Sequence, residues 1–224
     1  MEPQKLLTVG QLFKKSFEFY KSKMYTIMVL ALIPFAGFVI ISLLNEAIDQ
    51  SPNKGFMLSV GLITFLMVLI ILAISFWIHI AIFYLIKQKD SVLDAKSLLK
   101  FFWSKIIPSA WVILLSGIIC IVGFILLIIP GIILYIWFSF ALYVFVFEDA
   151  KGMQALYKSK DLVKGYWWPV FGRLFLFGFL TAFISSVPVI GDLVNIFFMI
   201  PLGVIYAYFI YENLKTVKTK PGIL

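Results

Sequence analysis

His79 is the only histidine in the chain, and it follows Ser75 by one helical turn within a long uncharged segment. A hydroxyl and an imidazole at i and i+4 share a helix face, the minimal arrangement of a nucleophile beside its base. Serine hydrolysis also needs an orienting group for the imidazole and donors for an oxyanion, and no such set accompanies this pair. Two readings of His79 remain: a proton relay or substrate contact, or a structural histidine bonded to a neighbouring carbonyl or water. It precedes Lys87 by eight residues, or about 12 Å of helix. Arg173 is the cation of the fifth apolar segment, with Glu148 and Asp149 as candidate ion-pair partners and snorkelling towards the interface as the alternative. Asp192 and Asn195 follow Pro188 and Gly191 and read as a helix start. Cys120 is the sole cysteine, so it has no intramolecular disulfide partner and makes no metal site alone. With one histidine and no clustered intramembrane carboxylates, no ligand set for a metal emerges. The chain reads as a non-enzyme without a cofactor.

The elements that carry these residues follow from composition. Of 224 residues, 62% are hydrophobic and 13% charged, and the mean hydropathy is +1.05. A water-soluble domain carries roughly a quarter charged residues. Residues 106 to 147 contain no charged side chain, about twice the length needed to cross a ~30 Å hydrocarbon core. That run must reverse, and Ile129-Pro130-Gly131 is the expected turn. Apolar segments at 24 to 44, 56 to 86, 106 to 128, 132 to 147, 169 to 187 and 193 to 211 predict six transmembrane helices. Lipid leaves backbone groups no outside partner, and the segments lack the alternation of barrel strands. The fold class is therefore all-α, a polytopic membrane helix bundle forming one domain over 1-224. The first apolar segment is long and lacks a small-residue cleavage site, so it is expected to stay as a span.

Lysine and arginine are unevenly placed. Eighteen lie in residues 1 to 23, 87 to 105, 148 to 173 and the tail after Glu212, against Lys54 alone in the 45 to 55 connection. The positive-inside rule then puts both termini in the cytoplasm.

Three basic segments resemble one another. FEFYKSKM at 17 to 24 matches LKFFWSKI at 99 to 106, and LFKKSFEFYK at 12 to 21 matches ALYKSKDLVK at 155 to 164. Approximate repeat units are 6-86, 91-147 and 152-213, each an amphipathic interfacial helix followed by a hairpin of spans. In the first, Val9, Leu12, Phe13, Phe17 and Tyr20 share a face with Ser16, and Thr8 with Gln11 fits a capping box. In the third, Ala155, Leu156, Leu162 and Val163 share a face with Ser159. Such helices are expected to lie flat, apolar face in the headgroup boundary.

The third basic segment leads into DLVKGYWWPVFGRL at 161 to 174. Lys158, Lys160, Lys164, Tyr166, Trp167, Trp168 and Arg173 form a candidate lipid-headgroup interface. The lysines attract anionic lipid, while the aromatic rings face the tails with their polar groups towards water. Nucleic acid is not expected as a partner despite the net charge of +8, because the basic residues flank spans. A protein partner or a homo-oligomer is a further expectation. Gly178, Ala182 and Ser186, and Gly203 and Ala207, form small-residue stripes that allow close helix approach. Pro34 and Pro201 are expected to kink their spans.

Residues 128 to 175 resemble a known family. Pro130-Gly131, an aromatic-rich span ending in Glu148, Ala155-Leu156 with Ser159, and Gly165 with Trp167-Trp168 resemble the multi-spanning membrane domain attached to some bacterial glycerophosphodiester phosphodiesterases, and the stand-alone YciC-like membrane proteins. The resemblance implies a multi-pass protein of a bacterial or archaeal cytoplasmic membrane. The chain lacks the soluble phosphodiesterase domain and its metal-binding residues, so that activity does not carry over. Two functions follow as expectations: a non-enzymatic module that organises lipid or a partner, or a small-solute or lipid transporter whose pathway contains His79 and Arg173.

Overall fold

The computed structural model describes residues 6–49, 54–88 and 95–219. Regular structure among them is helical: α1 Val9–Ser22, α2 Met24–Asp49, α3 Lys54–Lys87, α4 Ala95–Leu126, α5 Ile128–Phe138, α6 Ala141–Glu148, α7 Met153–Val163, α8 Trp167–Ser185, α9 Ile190–Val194 and α10 Ile200–Thr219. A π-helical turn, Asn195–Met199, joins α9 to α10. Among the described residues, six stretches are long and apolar enough to cross a membrane: Met24–Glu46, Gly55–Lys87, Lys96–Leu126, Ile128–Glu148, Trp167–Ser185 and Ile190–Thr219. The protein is an all-α polytopic membrane bundle.

The capping box opens α1. The Gln11 amide donates to Thr8 Oγ1 at 3.3 Å, and the Thr8 amide donates to Gln11 Oε1 at 3.0 Å. The centre of this helix's apolar face is covered by protein, unlike the lipid-facing placement expected from its spacing, while Val9 and Phe13 are half-buried and Phe17 is exposed. Leu12, Ser16 and Tyr20 are buried because α1 lies antiparallel along α10. Leu7 N–H donates to Asn213 Oδ1 at 2.9 Å, the Phe13 and Tyr206 rings are 4.9 Å apart, and Tyr20 packs on Phe198 at 5.4 Å. The buried face of α7 likewise meets α5, α6 and α10. Among the described residues, the second repeat unit has no separate amphipathic helix: residues 95–105 run unbroken into the span. No glycine or proline stands between Ala95 and Pro108 to end a helix there.

The reversal expected at Pro130-Gly131 comes earlier. Leu127 is extended (φ −164°, ψ 146°) and separates α4 from α5. Proline suits the first turn of a helix, where its missing N–H has no intrahelical partner, and Pro130 stands in the first turn of α5, which begins at Ile128. A Cβ on Gly131 would stand 2.4 Å from a Phe124 ring carbon, so the hairpin closes around a bare backbone.

Two spans are discontinuous. The fourth breaks at Ser139 and Phe140, and the Ser159 hydroxyl of α7 donates to the Trp137 carbonyl at 2.7 Å beside the break. The sixth carries the π-helical turn just before Pro201. Proline cannot donate to the carbonyl four residues earlier, here Phe197, and the Tyr20 hydroxyl donates to that oxygen at 2.8 Å. Pro34, by contrast, lies within an uninterrupted α2.

The core is not shared evenly along the spans. Residues 80–86 of α3, the whole middle of α6, one face of α7 and most of α10 between Pro201 and Leu214 are buried. In α2, the first half of α3, α4 and α8, many large apolar side chains are exposed, including Leu58, Leu62, Ile125 and Phe183. Water would penalise such a surface, whereas lipid tails are as apolar as the side chains. A packed base therefore sits at the charged end, with lipid-facing spans projecting from it.

Candidate functional site

The charged ends of α3, α6 and α10 meet in the base. Glu148, the last residue of α6, accepts from Lys158 at 3.3 Å, from Lys215 at 3.1 Å and from the Tyr211 hydroxyl at 2.7 Å. Asp149 takes a left-handed backbone conformation (φ 55°) and pairs with Lys105. That ammonium group holds the Asp149 carboxyl below the usual carboxylate range.

Arg173 pairs with neither acid, so of its two expected settings the ion pair is not formed. Glu148 is occupied by groups on α7 and α10, and long side chains on a helix point back towards its N-terminus. Arg173 therefore reaches backward: Nη1 donates to the Pro169 carbonyl and Nη2 to the Leu7 carbonyl, both at 2.7 Å. It has no carboxylate partner among the described residues. Its contact to Leu7 ties the lead-in of α1 to α8.

The remaining basic residues of the interface divide by role. Lys158 is committed to Glu148, and the Lys160 ammonium lies 4.5 Å from the centre of the Trp137 ring. Lys164 caps the end of α7 through its backbone, while its side chain is exposed and has no carboxylate partner among the described residues. Gly165 follows at φ +87°, a conformation that suits glycine, and turns the chain from α7 into α8.

Trp167 and Trp168 then diverge. Trp168 is 74% exposed. Trp167 stacks on Phe171 with ring centres 5.2 Å apart, and its indole nitrogen is enclosed without an acceptor. The expectation that its N–H faces water fails because an aromatic ladder begins at this ring. Phe171 stacks on Phe175 at 5.6 Å and Phe175 on Phe179 at 6.3 Å. Aromatic residues at every fourth position are visible in the sequence and mark this ladder. Tyr166 is half-buried and packs on the core.

His79 occupies a second setting. Its Nδ1 lies 2.7 Å from the Ser75 backbone carbonyl, so it meets the main chain at Ser75. A carbonyl only accepts, which places a proton on Nδ1 and leaves Nε2 of the neutral ring as an acceptor. The ring lines an open recess of about 430 Å³ between α3, the α5–α6 break, α8 and the start of α10. Ser139 and Thr181 line it with Tyr143, Met199 and Gly203. Both span discontinuities thus border the recess. Tyr143 donates to the Val204 carbonyl at 2.9 Å, while the Ser139 and Thr181 hydroxyls donate to carbonyls of their own helices. Tyr143, Ser139 and Thr181 were not marked by sequence spacing, and Tyr20 was marked only as part of an apolar face, because a carbonyl acceptor leaves no trace in residue type.

Asp192 stands in the first turn of α9 without capping it through its side chain, where its charge suits the positive helix end. Asn195 Nδ2 donates to Ser185 Oγ at 2.6 Å, joining the π-helical turn to the end of α8. Gly203 receives the Phe177 ring, whereas Gly178 faces open space. One small-residue stripe is used within the chain and the other is not. No group of histidine, cysteine, aspartate and glutamate able to hold a metal occurs among the described residues. No family model, curated protein or solved structure matches the chain.

Proposed function

We propose that the protein is a non-enzymatic membrane module that gathers anionic lipid, or a partner presenting the same chemistry, at its basic-aromatic end. The observation that carries this reading is the uneven use of cations there. Lys105, Lys158 and Lys215 are neutralised by Asp149 and Glu148, whereas Lys164 and Arg173 have no carboxylate partner among the described residues, and Trp168 is exposed beside them. A cation left free next to an interfacial tryptophan attracts anionic headgroups. The lysine distribution supports a cytoplasmic location for this end and for both termini. The resemblance of residues 128 to 175 to the bacterial membrane domain supports a cytoplasmic-membrane setting.

A lysine near the surface contributes about 1 kcal/mol to attraction of anionic lipid, roughly fivefold in local partition. Lys164→Gln is therefore expected to lower the phosphatidylglycerol enrichment around the protein in mixed nanodiscs, measured by mass spectrometry of the co-purified lipid. Lys158→Gln is expected to act on stability, because it removes one of the two cations paired with Glu148. Equal enrichment for wild type and Lys164→Gln counts against the reading.

The recess favours a second reading, transport of a small solute or lipid. Broken helices at membrane depth are tolerated where they line a cavity and recur in transporters. Flux across reconstituted vesicles that is lost in His79→Phe supports it, and absence of flux over a broad substrate panel removes it.

A further inference from the structure

We infer that the protein holds one anionic phospholipid at a defined site, its phosphate on Arg173 and one acyl chain in the groove between α1 and α8. The inference rests on the lipid-gathering reading and adds a specific ligand geometry to it. The groove has a volume of about 440 Å³ and is lined by Val9 and Phe13 of α1 and by Leu176, Phe179, Leu180 and Phe183 of α8. Every one of these side chains is apolar, which suits a hydrocarbon chain and nothing that needs hydrogen bonds.

The groove continues from a cation. Arg173, Leu176, Leu180 and Phe183 are spaced by three, four and three residues, so they fall on one helix face. From Arg173 to Phe183 that face runs about 15 Å. The Arg173 bond to the Leu7 carbonyl ties α8 to α1 two residues before Val9, closing the groove at the same end. The guanidinium points back along α8 towards Pro169, the direction of the interface, while the groove runs the other way. A phospholipid has this polarity.

Charge selects the headgroup. Arg173 carries five N–H donors, and the two carbonyls it contacts are neutral. An ionised group inside a span is expensive without a counter-charge. A phosphate oxygen pair matches the remaining guanidinium donors, and Arg–phosphate contacts are among the stronger hydrogen bonds. Lys164 adds a second free cation near the start of α8, which favours a headgroup with net negative charge over a zwitterionic one.

The test is retention of lipid by the full chain through progressive delipidation, read by native mass spectrometry. The protein is loaded in nanodiscs of equal parts phosphatidylglycerol and phosphatidylcholine. Wild type is expected to keep one phosphatidylglycerol after the surrounding lipid is stripped. Arg173→Gln and Leu180→Trp are each expected to lower that retention by at least about tenfold, with Arg173→Lys in between. Leu180 lines the groove at the lipid-facing surface, so the tryptophan variant tests the acyl chain without disturbing the base. Should Arg173→Gln fail to fold, Leu180→Trp and Arg173→Lys decide alone. Three results overturn the site: no lipid retained by wild type, phosphatidylcholine retained equally well, or a folded Leu180→Trp that holds lipid as wild type does. A dimer without lipid also overturns it, because a second copy then fills the groove. Loss of bulk enrichment in Lys164→Gln with the single lipid still held separates the two ideas, as does the converse.

Discussion

Replacing Tyr20 with phenylalanine removes one hydroxyl from a buried ring and leaves the Phe197 carbonyl without its side-chain donor. The loss is larger than for an ordinary helix carbonyl, because position 201 is proline and supplies no amide hydrogen four residues on. Interhelical hydrogen bonds in membranes average about 0.6 kcal/mol and reach about 1.7. An acceptor stranded in a dry setting costs about 1–3 kcal/mol. Tyr20→Phe is thus expected to destabilise the protein by about 1–2 kcal/mol. Pro201→Ala returns an amide at the position that can reach Phe197. In that background the same tyrosine substitution is expected to cost less than half as much, and the difference is the coupling between the two residues. Denaturation of the four proteins in mixed micelles, followed by tryptophan fluorescence, gives the cycle. Equal penalties for Tyr20→Phe with and without Pro201 refute the reasoning, because the hydroxyl then does not replace the missing amide.

Other outcomes follow from the same contacts. A Cβ on Gly191 would stand 2.4 Å from the Ile184 backbone oxygen, so Gly191→Ala is expected to destabilise by about 1–3 kcal/mol; Gly178→Ala, with open space around it, should leave the melting temperature unchanged. Ser159→Ala removes the donor to the Trp137 carbonyl, and a loss of about 1 kcal/mol is expected in the same denaturation assay. Asp149 has a depressed carboxyl pKa, so its contribution is full above its unfolded pKa and is lost as pH falls through the lower folded value. The side chain is 68% exposed, and Asp149→Asn is expected to change stability by less than about 1 kcal/mol, with a difference from wild type that shrinks in high salt and at acid pH.

The six spans were legible because charge is absent over lengths that only lipid explains, and the capping box of α1 because Thr8 and Gln11 have the required spacing. The turn at Leu127 was not, since Pro130 reads as a chain reversal while its dihedral suits a helix start equally well. Amphipathic spacing identified the buried faces of α1 and α7 but not what covers them. An apolar stripe has the same period whether it meets lipid or α10. Among the site residues, the types of Lys164, Trp168 and His79 were sufficient to mark them. The partners of Arg173 were invisible because both are backbone oxygens, one of them at Leu7, far away in the chain. The recess escaped notice for a related reason: it depends on the break at Ser139 and the π-helical turn, and only Pro201 announced either one.

The most direct test of the lipid-gathering account is native mass spectrometry of the protein released gently from its own membrane. The account predicts anionic phospholipid enriched over the composition of the surrounding bilayer, with the enrichment abolished when Lys164 and Arg173 are neutralised together. Bound lipid that mirrors the bilayer, or a small solute held in the recess beside His79 in place of lipid, contradicts it.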